Sequence, residues 1–380
     1  MSEIEIRQRL KSVAKKIVIK VGTRVLTRDG RVDYHQIQNL VGQIAQLKLQ
    51  GRKVILVSSG AVGTAMTLLD RHRPDSLGEL QAFAAIGQAE LIHHYNKALV
   101  KFDLFAAQVL LTADDIHHRQ RYLNLRNTFF SLFELGAVPI VNENDCVATD
   151  EIAVTFGDND RLATMVAMLV DADLLFVLSD VDGLYDRSPA EPDAQLIPFV
   201  GEFTNSILDL PSDAAAEGGE LSKGGMASKI QAAQMATNAG ILTVIAGGRV
   251  DNVVPRILGG ERCGTLFDRQ EKKFSSWKRW LTSSPDCFVG IVVDPGAINA
   301  ICEGGKSLLP IGVLSVIGEF KKGELIFIKA LDGKVIARGI TNFSSEETRK
   351  IAGSQSSEIS RHLGQAVNKE VIHRNNLVLT

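Results

Sequence analysis

The chain has 380 residues, 45% apolar and 23% charged, with a formal net charge of −2. That length allows two domains and a large core, and the near-neutral balance excludes a global field that would gather polyanions. Four scattered cysteines (Cys146, Cys263, Cys287, Cys302) with no CxxC pair argue against a disulfide framework or a zinc site.

The opening "MSEIEIRQRLKSVAKK" has no apolar signal core, and no run of about 18 uncharged apolar residues follows. A soluble cytoplasmic protein is expected. The first predicted strand, Ile17–Val21, lies in "IVIKVGTRVLT". Lys20 sits inside this apolar run. It either snorkels from a strand edge or faces a phosphate from the strand's carboxyl end. A helix is predicted over Tyr34–Gln50, then a strand over Val54–Val57 ending in "SSGAVGTA". There Ser58, Ser59 and Gly60 precede a helix start, where hydroxyls and amides converge and suit an anion.

A helix over Leu80–Val100, a strand over Phe105–Leu111 and a helix over Asp115–Leu135 come next. The strand Val138–Val141 runs into "NENDCVATDEIAVTFGDND". Glu143, Asp145, Asp150, Glu151, Asp158 and Asp160 stand there with Asn142, Asn144 and Asn159. Carboxylates this dense repel one another and call for cationic partners or donors. A helix over Asp160–Val170 leads to a strand over Leu174–Leu178 that ends at Ser179 and Asp180. "GGELSKGGMASK" then opens a helix over Met226–Ala239. Its Gly224-Gly225 let backbone approach a phosphate, and Ser228 and Lys229 lie in the first turns. It is not a Walker A motif. The nearest imitation, "AICEGGKS" at 300–307, has Ala300 where the first glycine is required. A strand over Leu242–Ala246 completes the alternation. Nearly continuous apolar strands separated by helices argue for a doubly wound, mostly parallel α/β sheet, with ligands outside the carboxyl ends of its strands.

The rhythm changes after Asp268. "RQEKKFSSWKRWLTSSPD" reads as a linker over 269–286, and the short runs beyond it as a small β-rich domain over 287–380. Asp332-Gly333 between two apolar runs marks a hairpin. The first 268 residues form the larger domain.

The motifs "IVIKVGT", "VSSGAVG", "NENDCVAT", "GDNDRLA", "SDVDGLYD" and "KGGMASK", in this order, resemble those of the amino acid kinase family. Within it they are similar to the glutamate 5-kinases, which open proline biosynthesis. "VDPGAINAICEGGKSLLPIGVLSVIGEFKKGE" and "IARGI" resemble a PUA domain. The resemblance covers nearly the whole chain. It implies ATP-dependent phosphorylation of the γ-carboxylate of L-glutamate, with Mg²⁺ accompanying ATP and no metal ligand assigned in the chain.

Residue by residue, it implies that Lys20 and Lys229 neutralise the transferring phosphoryl group and that Asp160 holds both. Ser59, Asp145 and Asn159 match substrate-binding positions. Lys20, Ser179, Asp180, Lys223, Gly224, Gly225, Met226, Ala227, Ser228 and Lys229 match nucleotide-binding positions. Lys223 departs from the small or hydroxyl residue usual before Gly-Gly. The resemblance further implies homo-oligomers and feedback inhibition by proline.

Rival readings are a kinase for another small acidic substrate on the same fold, and an RNA-binding PUA protein. Asp145 favours a free amino acid, because it pairs with an ammonium. A pI near 6.5 and the lack of a dense basic patch in the small domain oppose RNA. His93-His94 and His117-His118 are helix neighbours that diverge, not metal pairs. Trp277 and Trp280 read as packing of a linker helix, and Cys146 as a packing residue.

Overall fold

The computed structural model describes residues 2–28, 31–117, 119–147, 159–210, 225–269, 289–355, 358–359, 363 and 369–379. The chain divides into two compact units. One comprises Met1–Ala113 and Leu125–Lys272, the other Asp114–Asn124 and Lys273–Thr380. The linker predicted over 269–286, with Trp277 and Trp280, lies almost wholly outside the described residues.

In chain order the first unit holds strands β1 (Lys16–Val21), β2 (Thr27–Arg28), β3 (Arg31–Val32), β4 (Lys53–Ser58), β5 (Ala106–Leu111), β6 (Val138–Glu143), β7 (Leu174–Ser179), β8 (Phe199–Val200), β9 (Leu242–Gly247) and β10 (Thr265–Phe267). Eight of them form one sheet in the order β5-β6-β4-β1-β7-β9-β10-β8, while β2 and β3 make a separate two-stranded ribbon. From β5 to β9 every pairing is parallel; β10 turns antiparallel against β9. The sheet is therefore mostly parallel, as expected. Its six longer strands coincide closely with the predicted runs, but β8 and β10 are too short for any periodicity to register.

The carboxyl ends of β1, β4, β6, β7 and β9 all lie at one edge. Strands that precede the Asp145 turn (β4, β5, β6) lie to one side of β1, and those that follow it (β7, β9) to the other. Such a reversal is where open α/β sheets take their ligands, here outside the carboxyl end of β1.

The two faces of the sheet divide by strand alternation. Ile17, Ile19 and Val21 of β1 join Val54, Leu56, Leu174, Phe176 and Leu178 in one core cluster. Val18 and Lys20 point to the other face, which the helix Asn159–Leu169 covers. That helix is buried at every residue from Leu162 to Leu169, so only its first turn can offer a charge to Lys20.

The second unit holds β11 (Gly290–Val293), β12 (Val313–Ile317), β13 (Leu325–Lys329), β14 (Val335–Ile340) and β15 (Leu377–Leu379), in the order β12-β11-β13-β14-β15. Its core gathers Ile291, Val293, Ile301, Ile326, Ile328 and Leu377. The predicted hairpin is present: β13 and β14 pair antiparallel, and Gly333 takes the left-handed conformation at φ 86°. No helix among the described residues is long and apolar enough to cross a membrane.

Candidate functional site

The site starts from Lys20, an ammonium inside an apolar strand. The β1 run is held by parallel neighbours on both sides, with Lys20 opposite Val57 and Val177. Lys20 is only 5% exposed, and a buried ammonium requires a counter-charge. Asp160 supplies it, with Oδ1 at 2.5 Å from Lys20 Nζ. The other oxygen, Oδ2, lies 3.4 Å from Lys229 Nζ and accepts a hydrogen bond from Ser228 Oγ at 3.1 Å.

Lys229 and Ser228 come from the helix Met226–Asn238, which packs on the helix Asn159–Leu169. The two ammonium groups therefore converge on one carboxylate, which leaves an excess of one positive charge. Burial pushes the Asp160 carboxyl up. The charges of Lys20 and Lys229, with the hydrogen bonds from Lys20 and Ser228, outweigh it and hold the carboxyl below the usual range. Its place in the first turn of a helix favours the anion further.

Beside this cluster lies a network of amides and hydroxyls. Asn159 Nδ2 donates to Ser59 Oγ at 2.7 Å, to Asn142 Oδ1 at 3.1 Å and to the Ser58 carbonyl at 3.3 Å. Asn142 Nδ2 donates to Gln88 Oε1 at 2.8 Å. Tyr95 Oη and Ser58 Oγ are 2.8 Å apart, and Ser58 Oγ also donates to the Ser59 carbonyl. Burial pushes the Tyr95 hydroxyl pKa upward, so it stays protonated.

The helix Ala61–Leu69 begins directly after this network. Its N-cap is Gly60 at φ 109°, a conformation that favours glycine, and no side chain caps its first amides. Those donors are left for an anion. Gly87, on the helix Leu77–Leu99, allows a close crossing here: a Cβ there would meet the Ala61 carbonyl oxygen at 1.8 Å.

Asp145 opens the 3-10 turn Asp145–Val147 immediately beyond β6. It is half-buried, and burial pushes its carboxyl pKa upward. No hydrogen bond or ion pair to it occurs among the described residues, in contrast to Asp160. A carboxylate in this state gains from a cation brought by a ligand.

Ser179 and Asp180 end β7, and Ser179 Oγ donates to Asp180 Oδ1 at 3.0 Å. Asp180 pairs with Arg24 at 3.1 Å. Burial raises the Asp180 carboxyl, but the hydrogen bonds from Arg24 and Ser179 prevail and hold it low. Gly225 caps the helix Met226–Asn238; it is exposed, and a Cβ there would meet nothing within 4 Å. Among the described residues nothing crowds that helix start, and Met226 and Ala227 follow in the first turn. Lys223 and Gly224 lie outside the described residues, as do Asp150, Glu151 and Asp158.

The structure thus brings Lys20, Asp160, Ser228 and Lys229 together, and Ser59 with Asn159. Asn142, Gln88, Ser58 and Tyr95 join the same network; of these, sequence reasoning gave Gln88 and Tyr95 no role. Cys146 is exposed and does not pack, because the turn after β6 carries it outward.

A model of the amino acid kinase family matches residues 15–247. The chain belongs to the amino acid kinase family. The matched span contains every member of the site. A PUA domain model matches residues 290–363. Glutamate 5-kinase of Pseudomonas syringae pv. tomato is 44% identical over 369 residues, 96% of this chain and 98% of its own length. Glutamate 5-kinase of Moorella thermoacetica is 45% identical over 382 residues, covering 100% of both chains, and that of Carboxydothermus hydrogenoformans is 46% identical over 378 residues, 98% of this chain and 99% of its own. Among solved structures, carbamate kinase from Giardia lamblia bound to AMP-PNP is similar at a TM-score of 0.48 and 18% identity, over 68% of this chain and 100% of that one.

Proposed function

We propose that the chain transfers the γ-phosphoryl group of ATP to the γ-carboxylate of L-glutamate, giving γ-glutamyl 5-phosphate, the first step of proline biosynthesis in the cytoplasm. The observation that carries this reading is the pairing of one buried aspartate with two buried lysines beside an amide and hydroxyl network. Full-length similarity to glutamate 5-kinases supports the substrate.

Both reactants are anions. Unit charges about 4 Å apart repel by roughly 1 kcal/mol in water and several times that near protein. Lys20 and Lys229 offset this repulsion, most of all in the transition state, where charge spreads over the phosphoryl oxygens. Asp160 fixes both ammonium groups in advance. No general base is required, because the attacking carboxylate is already ionised at neutral pH.

Asp145 receives the substrate's ammonium, and Ser59 and Asn159 orient its carboxylates. Ser179, Asp180 and the stretch 223–229 take the nucleotide. Among the described residues no group of three or more His, Cys, Asp or Glu converges. Mg²⁺ brought with the nucleotide's phosphates would add neutralising charge there. Homo-oligomers and inhibition by proline belong to the same reading.

The test is ATP turnover across L-glutamate, L-aspartate, N-acetyl-L-glutamate and carbamate, with hydroxylamine trapping the acyl phosphate. Hydroxamate from glutamate alone is the expected result. Turnover of another acid in preference to glutamate overturns the assignment.

A further inference from the structure

Gln88 is buried, at 8% exposure, in the helix Leu77–Leu99. Its place in the amide network has a fixed polarity. The series starts at the Ser58 carbonyl, which can only accept, so Asn159 must turn its NH₂ group toward it. The same NH₂ group meets Asn142, which must then present its oxygen to Asn159 and its own NH₂ to Gln88. Gln88 can answer only with Oε1. Its NH₂ group is left at the far end, buried and without a hydrogen-bond partner among the described residues. Flipping the amide would set two NH₂ groups against each other and cure nothing. A buried donor left unpaired is costly and needs an explanation.

The surroundings supply one. Gly87 brings this helix against the backbone of Ala61, at the uncapped start of the helix Ala61–Leu69. The same helix packs on the turn that begins with Asp145. The helix that carries Gln88 therefore touches both the uncapped helix start and the turn that opens with Asp145. In an amino acid the ammonium and the α-carboxylate hang from one carbon, so the group that takes one must neighbour the group that takes the other.

We propose that the side-chain NH₂ of Gln88 donates to the α-carboxylate of the substrate and selects for its being free. This deepens the glutamate reading above and rests on it.

The test compares L-glutamate with its α-amide, isoglutamine, which keeps the ammonium and the γ-carboxylate but carries a neutral carboxamide at the α position. Turnover is read by hydroxamate formation, or for the amide by its inhibition constant against glutamate, with the full-length protein. Wild type is expected to prefer glutamate strongly. In Gln88→Ala the glutamate KM should rise about tenfold or more, with kcat and the ATP KM changed less, the scale of losing one hydrogen bond to a charged group. Isoglutamine should be affected far less, so the preference collapses.

Gln88→Glu keeps the oxygen that Asn142 needs and replaces the donor by an anion. It guards against a misfolded alanine variant, and thermal unfolding checks both. Glutamate use should fall further, and relative preference should turn toward isoglutamine, whose amide can donate. Equal proportional losses on both substrates in the folded variants would overturn the proposal and leave Gln88 as a prop for Asn142. A wild type that leaves glutamate unphosphorylated would overturn the glutamate reading and this inference with it.

Discussion

Lys20, Asp160 and Lys229 act through one another, so their substitutions should not behave independently. Lys20→Met or Lys229→Met removes a charge while keeping most of the bulk. Either should lower kcat by about a hundredfold or more, the scale of losing one preorganised electrostatic donor, with smaller changes in ATP affinity. Asp160→Asn should approach the same loss by releasing both ammonium groups. Because residues acting as a unit are non-additive, Lys229→Met/Asp160→Asn should be little worse than the poorer single variant in steady-state kinetics. If the losses multiply, Asp160 does not work through Lys229.

The same aspartate predicts a pH dependence of stability. Its folded pKa lies below the unfolded value of about 4. Its ion pairs therefore stabilise the protein fully above that value and are lost as pH falls through the folded one. Urea unfolding of wild type and Asp160→Asn should differ at neutral pH by about 3 kcal/mol, the scale for one partner of a buried pair. The gap should close as the solution is acidified. A gap that is constant with pH would deny Asp160 its charge.

Asp145 should show the opposite sign. Burial raises its folded pKa, so its ionised form costs stability above that pKa and the cost fades as pH falls toward the unfolded value. Asp145→Asn should leave the ligand-free melting temperature unchanged or raised, yet raise the glutamate KM strongly and abolish thermal protection by glutamate. A large loss of ligand-free stability would show a structural carboxylate instead.

At the scale of elements, the helix Leu77–Leu99 carries more of the site than its sequence suggests. Gln88 and Tyr95 are seven residues apart, on one face, and both hydrogen-bond to residues at strand ends. Gly87 sets the crossing. Gly87→Ala would drive a methyl group into the Ala61 backbone, where no flexible side chain can yield. The expected cost is about 1–3 kcal/mol, typical of overpacking. Since the displaced segment carries Ser59 and Gly60, the glutamate KM should rise too. Unfolding and kinetics measured on one preparation check both; an unaffected KM would separate the helix crossing from the site.

This helix also marks the limit of what the sequence reveals. Lys20 was legible because an ammonium in a β-branched run is anomalous, whereas Asp160 stood apart from the carboxylates around it only through the resemblance to the amino acid kinase family. Gln88, in "AAIGQAEL", violates no local rule: a glutamine on a helix reads as solvent-facing until its partner Asn142 is known. Tyr95 reads as core for the same reason. Their roles depend on which strands become neighbours, and β6 meets β4 only through long-range pairing. The strands β8 and β10 escaped notice because two or three residues carry no period. Lys223 and Gly224 remain expectations from sequence, since they lie outside the described residues.

Across the whole molecule, the two units have separate cores, one built on β1, β4 and β7 and one on β11 and β13. Every residue assigned a part in phosphoryl transfer precedes Met235. A chain ending near residue 280 should therefore fold and keep glutamate-dependent ATP turnover, measured by hydroxamate release, with changes confined to regulation or assembly. A folded but wholly inactive truncation would mean that the second unit contributes to the chemistry. At this scale the order of the sheet, which reverses at β1, sets where a ligand is expected to bind.

Asn159 and Asp160 are consecutive residues of one helical turn. The first belongs to the network that would cradle the amino acid; the second pairs with the two lysines that would meet the phosphoryl group. The span between the grip on the substrate and the point of bond formation is thereby tied to a covalent repeat, the rise of a single residue. Such a gauge cannot be lengthened by any exchange of side chains in this turn. An acceptor one methylene shorter, such as aspartate, would leave its carboxylate stranded short of phosphorus. A lineage adapting this scaffold to shorter or longer acids would have to move the far wall, at Asp145 and the helix that carries Gln88, while the lysines stay where they are.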